Sequence, residues 1–581
     1  MNSLSKIVAY LILTVFIIGC QEKQQPIADS RNNDYALYDE RGGFHRLSHY
    51  NNSKGIVLWV QGNGCPIVRN ALTDFHEIAA NYSEKGFVFF MLNSNIQDQR
   101  DSIFHEAREF DFQVPVLNDS AQLIADELDI RITAEALVLH PISREILFRG
   151  PINNRLDYEF QKNIATETYL KNALDAILQG KTPKNKVEIA RGCRVTRYRE
   201  IQKEDSLTYT KDIAPILNQH CIQCHTQGGI APWSMTDYKK IVGWSAMMKQ
   251  VLLSKRMPPW KADPLIGEFK NSLAIADSNV RKIISWIDNG VTRGEGEDIL
   301  RSIPPITKVW QKGEPDAIHT LQTESLPATG IISYRYQKVA LDTDEDKWLR
   351  GIEIQPGNNK VVHHIVITNT ERNQKSPITN REQRKWTDSY IALGGSGVQA
   401  TFFPKGSGIF IPKKTELTVQ IHYTTTGKQE TDQTKIGLYY HDAPPEKEFY
   451  SLAPSNTEFV IPPFGNNIAI SVEDSIHKDI KLYYIVPHMH YRGKSISFSV
   501  IYPDGIKETI VSVPDFSFNW QRLYELKEPK IIPKGSKIVV EGIYDNTYQN
   551  PLNPDPEKEL RYGIQSTDEM LIGFFNYTLH D

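Results

Sequence analysis

Between residues 34 and 185, apolar runs alternate with stretches of helical period. Gly55-Ile56-Val57-Leu58-Trp59-Val60 and Phe87-Val88-Phe89-Phe90-Met91-Leu92 are bounded by glycine or asparagine, as strands buried on both faces are. They predict a βαβ unit and so an α/β domain. From about 206 to 300 the pattern turns helical: Val280, Ile283, Ile284 and Ile287 recur at helical spacing, with Asp277 or Ser278 expected as N-cap and Gly290 as the stop. From about 325 onward strict alternation takes over, with Leu417, Val419 and Ile421 on one face and Thr418, Gln420 and His422 on the other. This predicts antiparallel β-structure, arranged as sandwiches. Prolines 444, 445, 454, 462 and 463 mark a boundary between two β-modules. The expected domains are therefore 34–185, 206–300, 325–450 and 451–581.

A chain of 581 residues exceeds what one core supports, in keeping with several domains. Hydrophobic residues make up 40%, charged residues 23%, and the net charge is -4, ordinary for globular material and no basis for nucleic-acid binding. Lys6, the apolar run Ile7 to Ile18, Gly19 and Cys20 form a segment too short to span a bilayer, hence a processing signal over 1–20. Ile17-Ile18-Gly19-Cys20 resembles a bacterial lipobox, which implies cleavage before Cys20, acylation of its sulfur and anchoring to a membrane of the bacterial envelope.

Five cysteines occur, at 20, 65, 193, 221 and 224. Cys221-Ile222-Gln223-Cys224-His225 has the spacing in which two thiols add to haem vinyl groups and the adjacent histidine ligates iron. A zinc half-site would need further ligands, and only His220 is near. Met257 is the candidate sixth ligand, with Met247 and Met248 as rivals. The words Asp212 to Leu217, Gly228 to Trp233 and Met257-Pro258-Pro259-Trp260 resemble small all-α c-type cytochrome domains. With Cys20 lipidated and the 221/224 pair on haem, Cys65 and Cys193 remain, and an even remainder suggests a bridge.

Three further segments place borderline ligands in strand contexts: His363-His364, His422-Tyr423 and His488-Met489-His490. Imidazole and thioether together suit copper better than calcium or magnesium. Residues two apart on a strand share a face, so His488 and His490 can chelate one ion. Adjacent His363 and His364 point oppositely on a regular strand and need a bulge, or the use of different ring positions, to share a metal. A lone histidine is more often a hydrogen-bonded core or surface residue, so the combination is what matters.

His-His, then His-Tyr, then His-x-His, then Asp568-Glu569-Met570 resembles the copper type II, ascorbate-dependent monooxygenases, the peptidylglycine- and dopamine-hydroxylating family. The resemblance covers about 325 to 581 and implies two copper ions. One is held by His363, His364 and His422 for electron transfer; the other, held by His488, His490 and Met570, activates O2 for C–H hydroxylation, with ascorbate as a reductant. The chain departs from the peptide-hydroxylating members where they anchor a substrate carboxylate: Val486 stands for arginine and Phe574 for tyrosine. Val486, Ile572 and Phe574 are instead expected to line an apolar pocket.

Trp59-Val60-Gln61-Gly62-Asn63-Gly64-Cys65-Pro66 sits where thioredoxin-like proteins place a nucleophilic cysteine at a helix N-terminus. Val68 occupies the second-cysteine position and Ala134 follows Thr133 where a cis-proline is usual, which excludes a local C-x-x-C exchange. Either Cys65 works with Cys193 or the domain is purely structural. The functional expectation is a monooxygenase using O2 on a small apolar substrate, with electrons from an envelope donor passing through the haem. The alternative is a non-catalytic electron-transfer or copper-binding protein on the same scaffold.

Overall fold

The two continuous apolar runs of the N-terminal region lie side by side. Gly55–Gln61 and Phe87–Asn93 pair in parallel, and all seven residues of the first are buried. A computed structural model describes residues 34–156, 162, 164–183, 190–198, 206–306, 310–369, 377–379, 386–395 and 400–580. The signal segment and Cys20 lie outside them. The chain divides into two compact units, one mainly Arg46–Asp119 and Ile124–Thr196, the other mainly Arg197–Asp581.

The first unit is built on a five-stranded sheet in the order Val116–Asn118, Phe87–Asn93, Gly55–Gln61, Glu135–Leu139, Ile146–Pro151. The first three strands are parallel, Glu135–Leu139 runs antiparallel to them, and Ile146–Pro151 reverses again and so runs parallel to the first three. Helix Pro66–Ser83 connects Gly55–Gln61 to Phe87–Asn93 and buries Val68, Leu72 and Phe75 in a core that includes Trp59 and Met91. Helices Arg100–Glu109 and Tyr169–Leu178 complete the expected α/β domain.

In the second unit, helices Ala214–His220, Tyr238–Leu253 and Asp277–Asp288 pack around Tyr209, Leu217, Met248, Ile283 and Trp286. The last helix is one residue off expectation: Ala276 is its N-cap, and Asp277 is its first residue, where a carboxylate favours the positive end of the dipole. Gly290, with φ at +87°, ends the pattern as expected.

The remainder is β-rich. One antiparallel sheet runs Arg335–Ala340, Glu416–Tyr423, Val362–Thr368, Tyr390–Gly395, and another centres on Lys347–Gln355 between Ser407–Ile411 and Lys435–Tyr440. Two more follow. One runs Tyr450–Leu452, Leu571–Leu579, Ile480–His488, Tyr524–Ile532; the other runs Asn466–Ser475, Lys537–Asp545, Gly493–Ile501, Lys507–Val513. Lys447–Glu448 pairs within the earlier pair of sheets and Tyr450–Leu452 within the later. Strand Leu571–Leu579 explains its own apolar run, because Ile572 and Phe574 enter one core while Leu571, Phe575 and Tyr577 enter the other. A strand buried on both faces has no polar side.

Candidate metal centres

His364 and His422 face each other across adjacent strands Val362–Thr368 and Glu416–Tyr423. The register slips between Val362 and His364, the bulge that two neighbouring histidines need to face one point. Nδ1 of His363 lies 3.0 Å from Nδ1 of His364 and 3.2 Å from Nδ1 of His422. The ligand atoms of all three fall within 4.8 Å of one another. Burial pushes His363 down to about 4 and His422 to about 3, and His364, beside four other imidazoles, also falls well below its ordinary value. The rings are thus neutral at pH 7, with lone pairs available for a metal.

The second set differs in which nitrogen is left over. His488 ends strand Ile480–His488, and His490 lies just beyond it, off the regular strand that the alternation suggested. Nδ1–H of His488 donates to Oε1 of Gln521 at 2.5 Å, and Nδ1–H of His490 donates to the carbonyl of Asp568 at 3.2 Å. These bonds leave Nε2 of each ring as the ligand atom. Nε2 of His490 is buried and has no hydrogen-bond partner among the described residues. Burial lowers His488 to about 4 and His490 well below its usual value. Met489 between them is fully buried in the opposite core.

Met570 precedes strand Leu571–Leu579 and lines one cavity with His488, His490 and His364. Val486, Ile572 and Phe574 line the same cavity, as expected of an apolar pocket. Its free space is about 30 Å³, enough for a molecule the size of water. Glu569 anchors this corner, its buried carboxylate accepting the backbone N–H of His490 at 3.0 Å and of Arg492 at 2.7 Å. Burial pushes Glu569 up to about 8, against the pull of those amides and the Arg492 guanidinium.

Two aromatic rings join the sets. Phe518 stacks on His363 at 5.7 Å and lies 5.4 Å from His422 and 6.0 Å from His490. Tyr334 lies 5.0 Å from His422 and 6.5 Å from His490, and its buried hydroxyl has no hydrogen-bond partner among the described residues. Sequence reasoning missed Tyr334, Phe518 and Gln521, which stand in no periodic or motif-like context.

Cys221 follows directly on helix Ala214–His220, and one turn brings the His225 amide to the Cys221 carbonyl at 3.0 Å. Nδ1–H of His225 donates to the Trp233 carbonyl at 3.0 Å, leaving Nε2 free, and burial lowers its pKa. Burial pushes the Cys221 thiol up to about 12 and raises that of Cys224. Among the described residues the one cluster of three such ligands is the His363, His364, His422 trio, so a zinc site at 221–225 lacks its complement of ligands. Met257 is half-buried in the loop after helix Tyr238–Leu253, Met248 is buried in the helical core, and Met247 is 44% exposed.

In the first unit, Sγ of Cys65 lies 2.8 Å from Sγ of Cys193. Among the described residues no helix is long and apolar enough to cross a membrane.

Residues 29–146 match the model of the AhpC/TSA family, and residues 456–580 match that of the copper type II ascorbate-dependent monooxygenase C-terminal domain. Similar solved structures include a hypothetical protein from Sinorhizobium meliloti, 21% identical, covering 28% of this chain and 90% of that one with a TM-score of 0.26. An uncharacterized conserved protein from Geobacillus kaustophilus is 23% identical, covering 28% and 88% with a TM-score of 0.25. Peroxidoxin BcpB from Mycobacterium tuberculosis is 17% identical, covering 25% and 92% with a TM-score of 0.20. The chain therefore joins a thioredoxin-like AhpC/TSA domain to a copper type II ascorbate-dependent monooxygenase C-terminal domain.

Proposed function

We propose that the protein is a copper-dependent monooxygenase that hydroxylates a C–H bond of a small apolar molecule with O2. The observation carrying this reading is the single cavity walled by His364 of one trio and by His488, His490 and Met570 of the other. In this reading His363, His364 and His422 hold one copper through Nδ1, while Nε2 of His488 and His490 and the Met570 thioether hold a second. When bound, copper supplies one-electron chemistry and activation of O2.

The chain's own part is to fix and protect that chemistry. Gln521 and the Asp568 carbonyl set the tautomers of His488 and His490. Burial keeps all five imidazoles neutral. Val486, Ile572 and Phe574 present an apolar wall to the substrate, which disfavours the anionic peptides of the peptide-hydroxylating enzymes. Residues 325–450 and 451–581 act as the two β-sandwich halves of the copper module.

In this reading Cys221, Cys224, His225 and Met257 would hold a haem in a cytochrome c-like domain over 206–300, and the haem would supply one-electron transfer. The free Nε2 of His225 fits such a role. Burial raises the Cys224 thiol, Arg522 lies close enough to oppose that rise, and the adjacent Gln521 bonds His488. Segment 518–523 thus runs from the haem word to both histidine trios. An envelope electron donor, or ascorbate, would be the reductant, and lipid on Cys20 would hold the protein at a membrane.

The test is purification of the haem-loaded protein, titration with copper, and O2 uptake with a reductant against apolar and polar small molecules. Substrate-dependent uptake after two equivalents of copper is expected. Copper binding without turnover on any substrate would favour a non-catalytic carrier.

A further inference from the structure

The thioredoxin-like unit contains a sulfur site of its own. Cys65 caps helix Pro66–Ser83 and is 2% exposed, while Cys193, from beyond the family-matched region, is exposed. Thr133 clamps both. Its N–H donates to the Cys193 carbonyl at 2.9 Å, its hydroxyl oxygen accepts the Cys193 N–H at 2.7 Å, and that same oxygen lies 3.0 Å from Sγ of Cys65. Ile132 and Arg194 form a bridge alongside. A Cβ on Gly192 would come within 2.0 Å of the Thr133 carbonyl oxygen, so the absence of a side chain there lets the Cys193 segment lie against the strand entrance.

We propose that Cys65 and Cys193 are a reversible dithiol–disulfide pair that accepts two electrons from a partner dithiol, with Cys193 as the sulfur the partner attacks. A partner thiolate attacks Sγ of Cys193; the new S–S bond joins partner and Cys193, the Cys65–Cys193 bond breaks, and its electron pair leaves on Cys65. The partner's second thiolate then attacks its own sulfur in the mixed disulfide. Cys193 departs as a thiolate and takes a proton, so the partner is oxidised by two electrons and the pair reduced by two. A small-molecule disulfide restores the bridge by the reverse route.

The direction of attack follows from the site. Cys65 is too enclosed for a partner to reach, whereas Cys193 is open. Burial works to raise the Cys65 thiol, but hydrogen bonds from Cys193, Thr133 and the Val68 amide hold it below its ordinary value, while burial and Cys65 push Cys193 up to about 11. The lower-pKa sulfur is the faster leaving group.

The full-length protein is treated natively with oxidised glutathione or with dithiothreitol, quenched with acid, unfolded, alkylated, and mapped by peptide mass spectrometry. The proposal expects a 65–193 cross-link lighter by two hydrogens after oxidation, and alkylation of both cysteines after native reduction. In Cys65→Ala, glutathione is expected on Cys193; in Cys193→Ala, Cys65 should stay unmodified. Two alkylated cysteines after oxidation, a cross-link reducible only after unfolding, or glutathione on Cys65 rather than Cys193 would each overturn it.

Discussion

Nδ1 of His488 and Oε1 of Gln521 lie 2.5 Å apart. The amide nitrogen of Gln521 donates to the Phe518 carbonyl at 3.2 Å, so it is the oxygen that faces the ring and the imidazole must carry its proton at Nδ1. One glutamine thereby decides which nitrogen His488 offers to the cavity, and it holds Phe518, one of the two rings beside both histidine sets, in the same short segment.

Removing that acceptor should loosen one metal site and spare the other. In Gln521→Leu the His488 tautomer is no longer fixed, and losses of such outer partners weaken metal binding by about 10–100-fold. A copper titration followed by calorimetry is expected to show one weakened and one unchanged class of site. Two unchanged classes would mean that His488 does not bind copper through Nε2.

Met570 is 3% exposed, so truncation would confound chemistry with packing. Met570→Leu conserves volume and should cost under about 1.5 kcal/mol of stability. It is expected to abolish reductant-driven O2 uptake while the protein keeps about one equivalent of copper at His363, His364 and His422. Retained uptake would remove the thioether from the reaction.

The imidazoles also set a pH dependence. Burial holds His363 and His488 at about 4 and His422 at about 3 in the folded protein, against about 6.5 when unfolded. Below 6.5 the unfolded chain binds more protons, so the stability these groups contribute is complete above that pH and declines towards 4. By pH 5 the loss is about 2 kcal/mol for each independent ring. The Tm of copper-free protein should fall steeply between pH 7 and 5, and a flat profile there would mean that these rings are not buried as neutral groups.

Much of this was legible in the residues themselves. Continuous runs such as Ile56 to Val60 and the alternation of Leu417, Val419 and Ile421 are statements about which faces are buried, and burial is what periodicity encodes. The bulge at His363 was one of the two ways in which adjacent histidines can share a point, the other being different ring positions, and the register slip selects it. Tyr334, Phe518 and Gln521 were not legible, because their importance arises from packing against histidines 28 to 156 residues away in the chain. The position of His490 differed for a local reason: its N–H is taken by the Glu569 carboxylate rather than by a neighbouring strand.

That carboxylate is expected to matter more for folding than for chemistry. Glu569 accepts amides of His490 and Arg492 and sits beside the buried Arg492, whose guanidinium also donates to the Thr567 carbonyl at 2.8 Å. Glu569→Gln keeps one acceptor oxygen but leaves a buried amide without its partner, a cost of about 1–3 kcal/mol. Denaturant unfolding should register a loss of that size, and Glu569→Ala a larger one. An unchanged midpoint in both would show that water replaces the carboxylate.

The walls of the cavity make a prediction about substrate. Val486 and Phe574 are paired across strands Ile480–His488 and Leu571–Leu579 and line the space beside Met570; neither offers a charge to a carboxylate. Desolvating an anion against such a surface costs several kcal/mol without a partner, so wild-type protein should prefer uncharged substrates. Val486→Arg introduces a cation at the site, and competition between an anionic peptide and an apolar small molecule is expected to shift towards the peptide in that variant. Phe574→Tyr, which adds only a hydroxyl, should shift it less. A wild-type preference for the anionic peptide would place the substrate somewhere other than this apolar wall.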